Sequence, residues 1–326
     1  MTVALSIQQL EKTIRVGFFA KKVTLLRGIS IDVQEGSIFG FVGQNGAGKS
    51  TTIKHLIGAL QPTNGKVEIF GHSPRERSTR ARFGYLPEFP RLPDTLSPRE
   101  LLLLHGRLAG LSTEQARKKG NELLEKVLLA DRGDEWVRGF SKGMQQKVAL
   151  CLTLIGEPEL LILDEPMSGL DPVGRRMVRD IIREQHQMGR TVFFSSHVLP
   201  DVEDLCDEVA IISAGKVVGQ GSLQSFLDDK GRQMEVVFRL APDTEALESW
   251  ADWGKITPHG DRVSLLVNAN VDALDVAQKL KAAGAEILDV LTLRGSLEDH
   301  LVQVIEAHQA EQLAEQAEAA TQKDAS

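Results

Sequence analysis

The fold of this chain is decided by the stretch Gly43-Gln44-Asn45-Gly46-Ala47-Gly48-Lys49-Ser50. It fits the phosphate-binding pattern G-x-x-x-x-G-K-[ST]. An apolar run at residues 38–42 predicts a buried strand before it, and residues 51–57 predict a helix after it. Glycines let the backbone wrap around phosphate, while the helix N-terminus adds partial positive charge. The alternative, a glycine-rich turn that contains lysine and serine by chance, is disfavoured by this strand and helix. We therefore expect the chain to bind a nucleoside triphosphate.

Individual residues at this loop have separate predicted roles. Lys49 is expected to reach the β- and γ-phosphates, and the Ser50 hydroxyl is expected to bind Mg²⁺. The remaining nucleotide contacts are assigned to Gly43, Asn45, Gly46, Ala47, Gly48 and Thr51.

Composition limits the class of protein. The 326 residues suffice for a large domain and a smaller one, and 42% hydrophobic with 25% charged residues is typical of a soluble globular protein. A formal net charge of -7 argues against a general nucleic-acid binder. Cys151 and Cys206 make no disulfide framework, which favours a reducing, cytosolic setting. Because the sequence has neither a signal-peptide layout nor an apolar run of about 20 residues, any membrane association should be peripheral.

The order of predicted elements divides the chain into three parts. Residues 1–230 predict an α/β core with a parallel sheet, interrupted by a helical insertion at about 90–157. Residues 231–308 predict a small α+β domain, for which a ferredoxin-like fold is a candidate. Residues 309–326, rich in Ala, Gln and Glu, predict a fraying helix or a disordered tail.

Helix start signals define the insertion. Ser97 and Glu100 predict a capping box, because they stand three residues apart at the start of an apolar periodic run. Ser112 is expected to open a second helix that continues to about Leu129. Ser141 can cap a third helix, and the N-terminus of that helix would again suit a phosphate group.

Two adjacent carboxylates follow the apolar run at residues 160–163. Asp164 is placed to hold Mg²⁺ directly or through water, as in other phosphate-loop NTPases. Glu165 is then available to orient or deprotonate the attacking water. The alternative is a strand that runs into an acidic turn, which is a common arrangement. The phosphate loop elsewhere in the chain favours the catalytic interpretation.

These motifs resemble those of the ATP-binding subunits of ABC transporters, over about residues 1–225. The phosphate loop is similar to the Walker A motif of that family. The other motifs follow in the family's order: the signature at 140–144, Walker B at 160–165 with its catalytic Glu165, the D-loop at 168–171, and the switch histidine at His197. Five motifs in the correct order make a chance match negligible.

The resemblance implies a mechanism that uses two subunits. Two nucleotide-binding domains of this family pack head to tail, so that Ser141 and Gly143 of one subunit would meet the γ-phosphate held by the other. Asp171 would connect the two sites across that interface. His197 would contact the γ-phosphate and Glu165 would act as the catalytic base. ATP and Mg²⁺ are the implied cofactors.

Some positions depart from the family pattern or leave two candidates. Adenine usually stacks on an aromatic residue before the phosphate loop, and Phe18 or Phe19 could do so, although each could equally be a core residue. Glu88 stands where a glutamine is expected, and its carboxylate could still bind Mg²⁺ or water. Lys142 and Met144 replace a glycine and a glutamine of the usual signature, which removes the glutamine's side-chain contacts.

The implied partners are an integral membrane permease subunit and a second copy of the chain, with no nucleic acid expected. The chain would then work as a peripheral protein on the cytoplasmic face of the membrane, and its variant motifs resemble those of export-type ATPases. Arg91, Leu92 and residues 102–105 are candidates for a groove that receives the membrane subunit, although ordinary helical packing explains them equally well. The alternative is a soluble ABC ATPase acting on ribosomes or DNA, which the single phosphate loop and the net acidity disfavour. A scaffold without turnover is disfavoured by Glu165.

Overall fold

The computed structural model describes residues 2–17, 21–228, 233–240, 248–268, 271–293 and 297–298. Within this part of the chain there are two compact units, one that ends at Ser222 and one that begins at Leu223. The predicted boundary at 230 and the predicted tail at 309–326 lie outside the described residues, and both stay predictions.

The first unit contains most of the regular structure. Its strands are β1 (Val3–Val16), β2 (Lys21–Gln34), β3 (Ile38–Val42), β4 (Asn64–Ile69), β5 (Phe83–Leu86), β6 (Leu160–Asp164), β7 (Thr191–Ser196), β8 (Glu208–Ser213) and β9 (Lys216–Ser222). Its helices are α1 (Lys49–Leu56), α2 (Arg77–Arg80), α3 (Pro98–Leu108), α4 (Thr113–Lys126), α5 (Lys142–Leu154), α6 (Pro172–Gln187) and α7 (Leu199–Leu205).

A six-stranded sheet in the order β5-β6-β7-β3-β8-β9 positions the predicted motifs. All neighbouring strands are parallel except β8 and β9. Every residue of β3, β6 and β7 is buried, which is why their sequences are nearly continuous apolar runs. Because parallel strands end at the same edge of a sheet, the loops that follow these three strands meet there.

A second sheet, antiparallel in the order β2-β1-β4, contributes to the core of this unit. The core cluster joins residues of both sheets and of α1, including Leu5, Phe41 and Ile53. The ring of Phe39 stacks on the ring of Phe193 from the neighbouring strand β7, with centroids 5.8 Å apart. This packing fixes β3, and with it the start of the phosphate loop.

The predicted helical insertion consists of α3, α4 and α5. The capping box is present, since Ser97 Oγ accepts from the Glu100 backbone N–H and Glu100 Oε2 accepts from the Ser97 backbone N–H. Ser112 caps α4. That helix ends at Lys126, earlier than expected, because Leu128 adopts a positive φ of 57° that a right-handed helix cannot contain.

The second unit contains α8 (Leu223–Asp228), β10 (Gln233–Arg239), β11 (Gly254–His259), β12 (Arg262–Val267), α9 (Ala273–Ala282) and β13 (Glu286–Leu293). Its antiparallel sheet has the order β11-β12-β10-β13. Phe238, Trp250, Leu265 and Val276 form part of its core. The ferredoxin-like assignment stays a prediction, because residues 241–247, between β10 and β11, lie outside the described residues.

Candidate nucleotide site

The phosphate loop, residues 43–50, joins β3 to α1 as the sequence predicts. Gly48 directly precedes α1 and has a φ of 118°, a conformation that residues with a side chain rarely adopt. Gly43 is required for a different reason. A Cβ at this position would lie 2.4 Å from the backbone oxygen of Ile212, so only glycine permits this approach to β8.

The loop borders a cavity of about 340 Å³. The cavity is lined by Leu25, Gln44, Asn45, Gly46, Gly48, Lys49, Ser50, Thr51, Glu88 and Glu165. Gly43 and Ala47 are buried and do not line the cavity. The structure thus brings most of the predicted nucleotide contacts together and adds Glu88 and Glu165, which come from the ends of two other strands.

Lys49 is buried, with its side chain only 6% exposed. Its Nζ donates to the backbone oxygen of Gly43 at 2.6 Å and lies 3.3 Å from Oε1 of Glu165. A buried ammonium needs such partners, because an unpaired charge away from water is costly. A phosphate group in the cavity would be a stronger partner for Lys49 than the backbone oxygen of Gly43, because phosphate is anionic and the backbone oxygen is neutral.

Glu165 follows β6 and is held from both sides. Its Oε2 accepts a hydrogen bond from Nδ1 of His197 at 2.8 Å, while Oε1 faces Lys49. Its backbone φ is 49°, a left-handed conformation that is uncommon outside glycine and that is found at functional sites. His197 follows β7, and its side chain is about half exposed, so part of the imidazole remains accessible.

Ser195, at the end of β7, connects the two carboxylate residues. Its hydroxyl donates to Oδ1 of Asp164 at 2.7 Å and accepts from the backbone N–H of Glu165 at 3.1 Å. Sequence reasoning assigned no role to Ser195. Ser195 is fully buried and lies opposite Asp164 in the register of β6 against β7, which the sequence alone does not show.

Three carboxylates lie close enough to influence each other. Burial raises the pKa of Asp164, although hydrogen bonds from Ser195 and Ser50 oppose the rise. Burial also raises the pKa of Glu88, and the negative charges of Asp164 and Glu165 add to it. A bound cation would relieve this concentration of negative charge.

The residues present fit a magnesium ion. The Ser50 hydroxyl lies close enough to Asp164 to lower the pKa of its carboxyl, so a hydroxyl oxygen and a carboxylate oxygen converge, and Mg²⁺ prefers oxygen ligands. Within the described ranges no group of three or more His, Cys, Asp or Glu side chains forms a metal site by itself.

The predicted signature and D-loop residues form a separate group. Ser141 caps α5, with its hydroxyl accepting from the Met144 backbone N–H, and Asp171 caps α6. A Cβ at Gly143 would be in contact with Leu170, so the two segments are adjacent. The cavity at the phosphate loop of the same chain is not lined by Ser141, Gly143 or Asp171. The adenine candidates Phe18 and Phe19 lie outside the described residues.

A parallel sheet with a phosphate loop after one strand and paired carboxylates after another defines a phosphate-loop NTPase. The family profile described as ABC transporter matches residues 26–168. An uncharacterised ABC transporter ATP-binding protein of Nostoc sp. strain PCC 7120 is 38% identical over 300 residues, which cover 91% of this chain and 88% of the relative. The daunorubicin resistance ATP-binding protein DrrA3 of Streptomyces coeruleorubidus is 36% identical, with 84% and 89% covered. The chain belongs to the ABC transporter ATP-binding proteins.

Solved structures agree with this assignment. A structure described as the ATP-binding subunit of an ABC transporter has a TM-score of 0.63 and 33% identity, and covers 70% of this chain and 93% of that one. A dimeric ATP-binding cassette in a post-hydrolysis state, bound to ADP and Pi, has a TM-score of 0.62 at 21% identity, with 67% and 98% covered. The predicted fold class and family are therefore confirmed, and the chain is an ATP-binding ABC ATPase. Among the described helices, none is both long and apolar enough to cross a bilayer.

Proposed function

We propose that the chain dimerises head to tail around two ATP molecules and powers export through a separate integral membrane subunit. One observation carries this proposal. Ser141, Gly143 and Asp171 lie outside the cavity of their own phosphate loop, so nucleotide bound by one chain leaves them unused. A second copy would supply them to that nucleotide. The daunorubicin resistance relative supports export as the direction of transport.

Nucleotide binding would start with a change of partner at Lys49. The ammonium would leave Gly43 and Glu165 for the β- and γ-phosphates, because a phosphate oxygen is the stronger acceptor. Ser50 and Asp164 would hold Mg²⁺, which neutralises charge on the β- and γ-oxygens when it is bound. Ser195 would keep Asp164 in place through its 2.7 Å hydrogen bond.

Hydrolysis would then depend on Glu165. Once Lys49 has turned to phosphate, Oε1 is free to accept a proton from a water molecule, while His197 still holds Oε2. The oxygen of that water forms the new bond to the γ-phosphorus as the bond to the β–γ bridging oxygen breaks, which gives ADP and phosphate. Ser141 and Gly143 of the partner would stabilise the charge of the transferred group through the N-terminus of α5.

A cavity of about 470 Å³ beside the helical insertion is the proposed docking groove for the membrane subunit. Arg91, Leu92, His105 and Leu108 line it, and Leu108 is largely exposed. Leu102, another candidate, is 1% exposed and packs inside the insertion, so it cannot contact a partner directly. Docking here would place the chain as a peripheral protein on the cytoplasmic face of the membrane.

The test is purification of the tagged chain from gently solubilised native membranes, followed by mass spectrometry. A polytopic membrane protein in stoichiometric amount is the expected result. A double variant with Arg91→Glu and Leu108→Glu in the groove should lose that protein and keep its ATP affinity. Recovery of the unaltered chain with ribosomes or DNA instead of a membrane protein would overturn the transport proposal and leave the ATPase assignment intact.

A further inference from the structure

Lys142 occupies an unusual place for a cation. It is the first residue of α5, directly after the cap Ser141, where the partial positive charge of the helix disfavours an ammonium group. Its Nζ lies 4.5 Å from the centroid of the Phe89 ring, within the distance at which a cation is attracted to an aromatic face. Lys142 therefore contacts the segment that directly follows Glu88.

The stem of Lys142 lies against a second loop. A Cβ built on Gly169 would come within 3.0 Å of both Cδ and Cε of Lys142 and within 3.2 Å of its Nζ. Gly169 also has a φ of 72°, which disfavours any residue with a side chain. Lys142 thus occupies space beside the D-loop, residues 168–171, that exists because Gly169 has no side chain. A larger residue at position 169 would displace Lys142.

Phe89 directly follows Glu88, so the contacts of Phe89 bear on the position of the Glu88 carboxylate. Glu88 lines the cavity of the phosphate loop, whereas the neighbours Pro87 and Pro90 line the groove beside the helical insertion. The Phe89 side chain is itself mostly exposed, with 60% of the residue accessible, so its contact with Lys142 is made at the surface of the segment. What fixes Phe89 also fixes the carboxylate next to it.

The surrounding charges agree with this placement. Asp164 and Glu165 act on Glu88 as negative charges, and Lys142 and Lys49 act on it as positive ones. Lys49 belongs to the phosphate loop and would turn to nucleotide. Lys142 is then the cation that stays with the Glu88 segment.

We propose that Lys142 is a positioning residue that joins Phe89 to the D-loop of its own chain and so keeps Glu88 at the phosphate-loop cavity. The inference deepens the proposed function and rests on it, since a nucleotide held between two subunits is what Glu88 would face. It assigns the lysine of this signature a role within its own subunit.

The first test measures the contact without using activity. Limited digestion of the full chain with trypsin is followed by mass spectrometry, because local opening of a segment exposes it to proteolysis. Cleavage after Arg91 reports on the segment that holds Phe89. Lys142→Met keeps the stem and removes the charge, and it should accelerate that cleavage. Lys147→Met, a charge removal on the same helix, is the matched control and should leave the rate of that cleavage unchanged. An unaltered cleavage rate in Lys142→Met would overturn the proposal.

The second test separates positioning from a direct contact with nucleotide. Lys142→Met and Phe89→Leu should each lower kcat by about 5- to 50-fold, the range expected for a misplaced group, with KM changed less than about twofold. The double variant should be no slower than the slower single variant. Lys142→Arg should recover activity to within about threefold of the original chain, because arginine also binds aromatic faces. Losses that multiply in the double variant would show that Lys142 does not act through Phe89.

The two proposals fail in different ways. If the purified chain binds ATP but never dimerises, the proposed function fails, while the cleavage experiment still decides whether Lys142 holds Phe89. If dimerisation and hydrolysis are intact and Lys142→Met matches the original chain in the rate of cleavage after Arg91 and in kcat, only the positioning role is wrong.

Discussion

Nδ1 of His197 lies 2.8 Å from Oε2 of Glu165, on the same carboxylate whose Oε1 faces Lys49 at 3.3 Å. Nucleotide would draw Lys49 away from this carboxylate, whereas His197 would remain bound to it. Loss of the Lys49 contact frees a single oxygen for water, and the His197 contact keeps the other oxygen oriented. In the proposed mechanism, ATP binding would thereby release the carboxylate of Glu165, the proposed catalytic base.

The first prediction concerns this carboxylate. Glu165→Gln should leave ATP affinity within about twofold, because the amide keeps the size of the side chain and Lys49 retains phosphate as a partner. Hydrolysis should fall by about 10²- to 10⁴-fold, the usual contribution of a general base. An ATP-bound dimer should accumulate, and light scattering after size exclusion with Mg²⁺ and ATP would detect it.

Lys49→Ala is the matched control for that experiment. It removes the cation that would bind the β- and γ-phosphates, so ATP should no longer bind and the chain should stay monomeric in the same measurement. A Glu165→Gln chain that hydrolyses ATP at the original rate would show that a different group is the base.

The second prediction concerns Ser195. Ser195→Ala removes the hydrogen bonds to Asp164 Oδ1 and to the Glu165 backbone N–H, both of which are buried. Buried polar groups left without partners cost about 1–3 kcal/mol, so the free energy of unfolding measured in urea should fall by about that amount. Without the Ser195 hydroxyl, Asp164 should be less well oriented to hold Mg²⁺. Hydrolysis should therefore slow at low Mg²⁺ concentration and recover partly as that concentration is raised.

Ser196→Ala is the control on the neighbouring position. Among the residues that the structure describes, the Ser196 hydroxyl exchanges hydrogen bonds only with the backbone of Val198, and none with the carboxylates. Ser196→Ala should therefore leave the Mg²⁺ dependence of hydrolysis unchanged. Equal Mg²⁺ dependence in the Ser195 and Ser196 variants would contradict the proposed role of Ser195.

The third prediction concerns Glu88, where the family pattern has glutamine. Glu88→Gln removes one of three mutually repelling carboxylates and keeps a side-chain oxygen at the cavity. Activity should therefore be retained, at or above the original rate at saturating ATP. Glu88→Ala removes the oxygen as well and should be slower, and an inactive Glu88→Gln enzyme would show that the charge itself is needed.

The sequence predicted features whose causes are local. The phosphate loop depends on closely spaced glycines, and the helix caps at Ser97 and Ser112 depend on side chains three residues apart. Features formed between distant segments were missed. Ser195 meets Asp164 only through the register of β6 against β7, across 31 positions of sequence, which no local pattern specifies.

The accessory unit gives a second example. Strand β11, Gly254–His259, was not predicted, because it lies at the edge of its sheet with most side chains exposed and contains Pro258. Its position depends on pairing with β12 rather than on an apolar alternation of its own. The contact of Lys142 with Phe89 likewise required the fold, since the sequence showed Lys142 only as a departure from the usual signature.

The fourth prediction concerns the pH dependence of stability. His55 on α1 is 2% exposed, its Nδ1 donates to the backbone oxygen of Thr51 at 2.7 Å, and burial lowers its pKa. The unfolded chain therefore binds a proton at His55 more readily than the folded chain does. This difference stabilises the folded chain at pH values above the ordinary histidine pKa of about 6.5. The stabilisation is lost as the pH falls through the lower pKa that His55 has in the folded chain.

Urea unfolding at several pH values between 7.5 and 5 would measure this loss. His55→Gln should lower stability at pH 7.5, because the new side chain fills the site less well, and should flatten the decline towards pH 5. His72→Gln is the control, since His72 is largely exposed, and it should decline as the original chain does. A His55→Gln chain that keeps the full acid-side loss of stability would show that other groups, such as buried carboxylates, cause that loss.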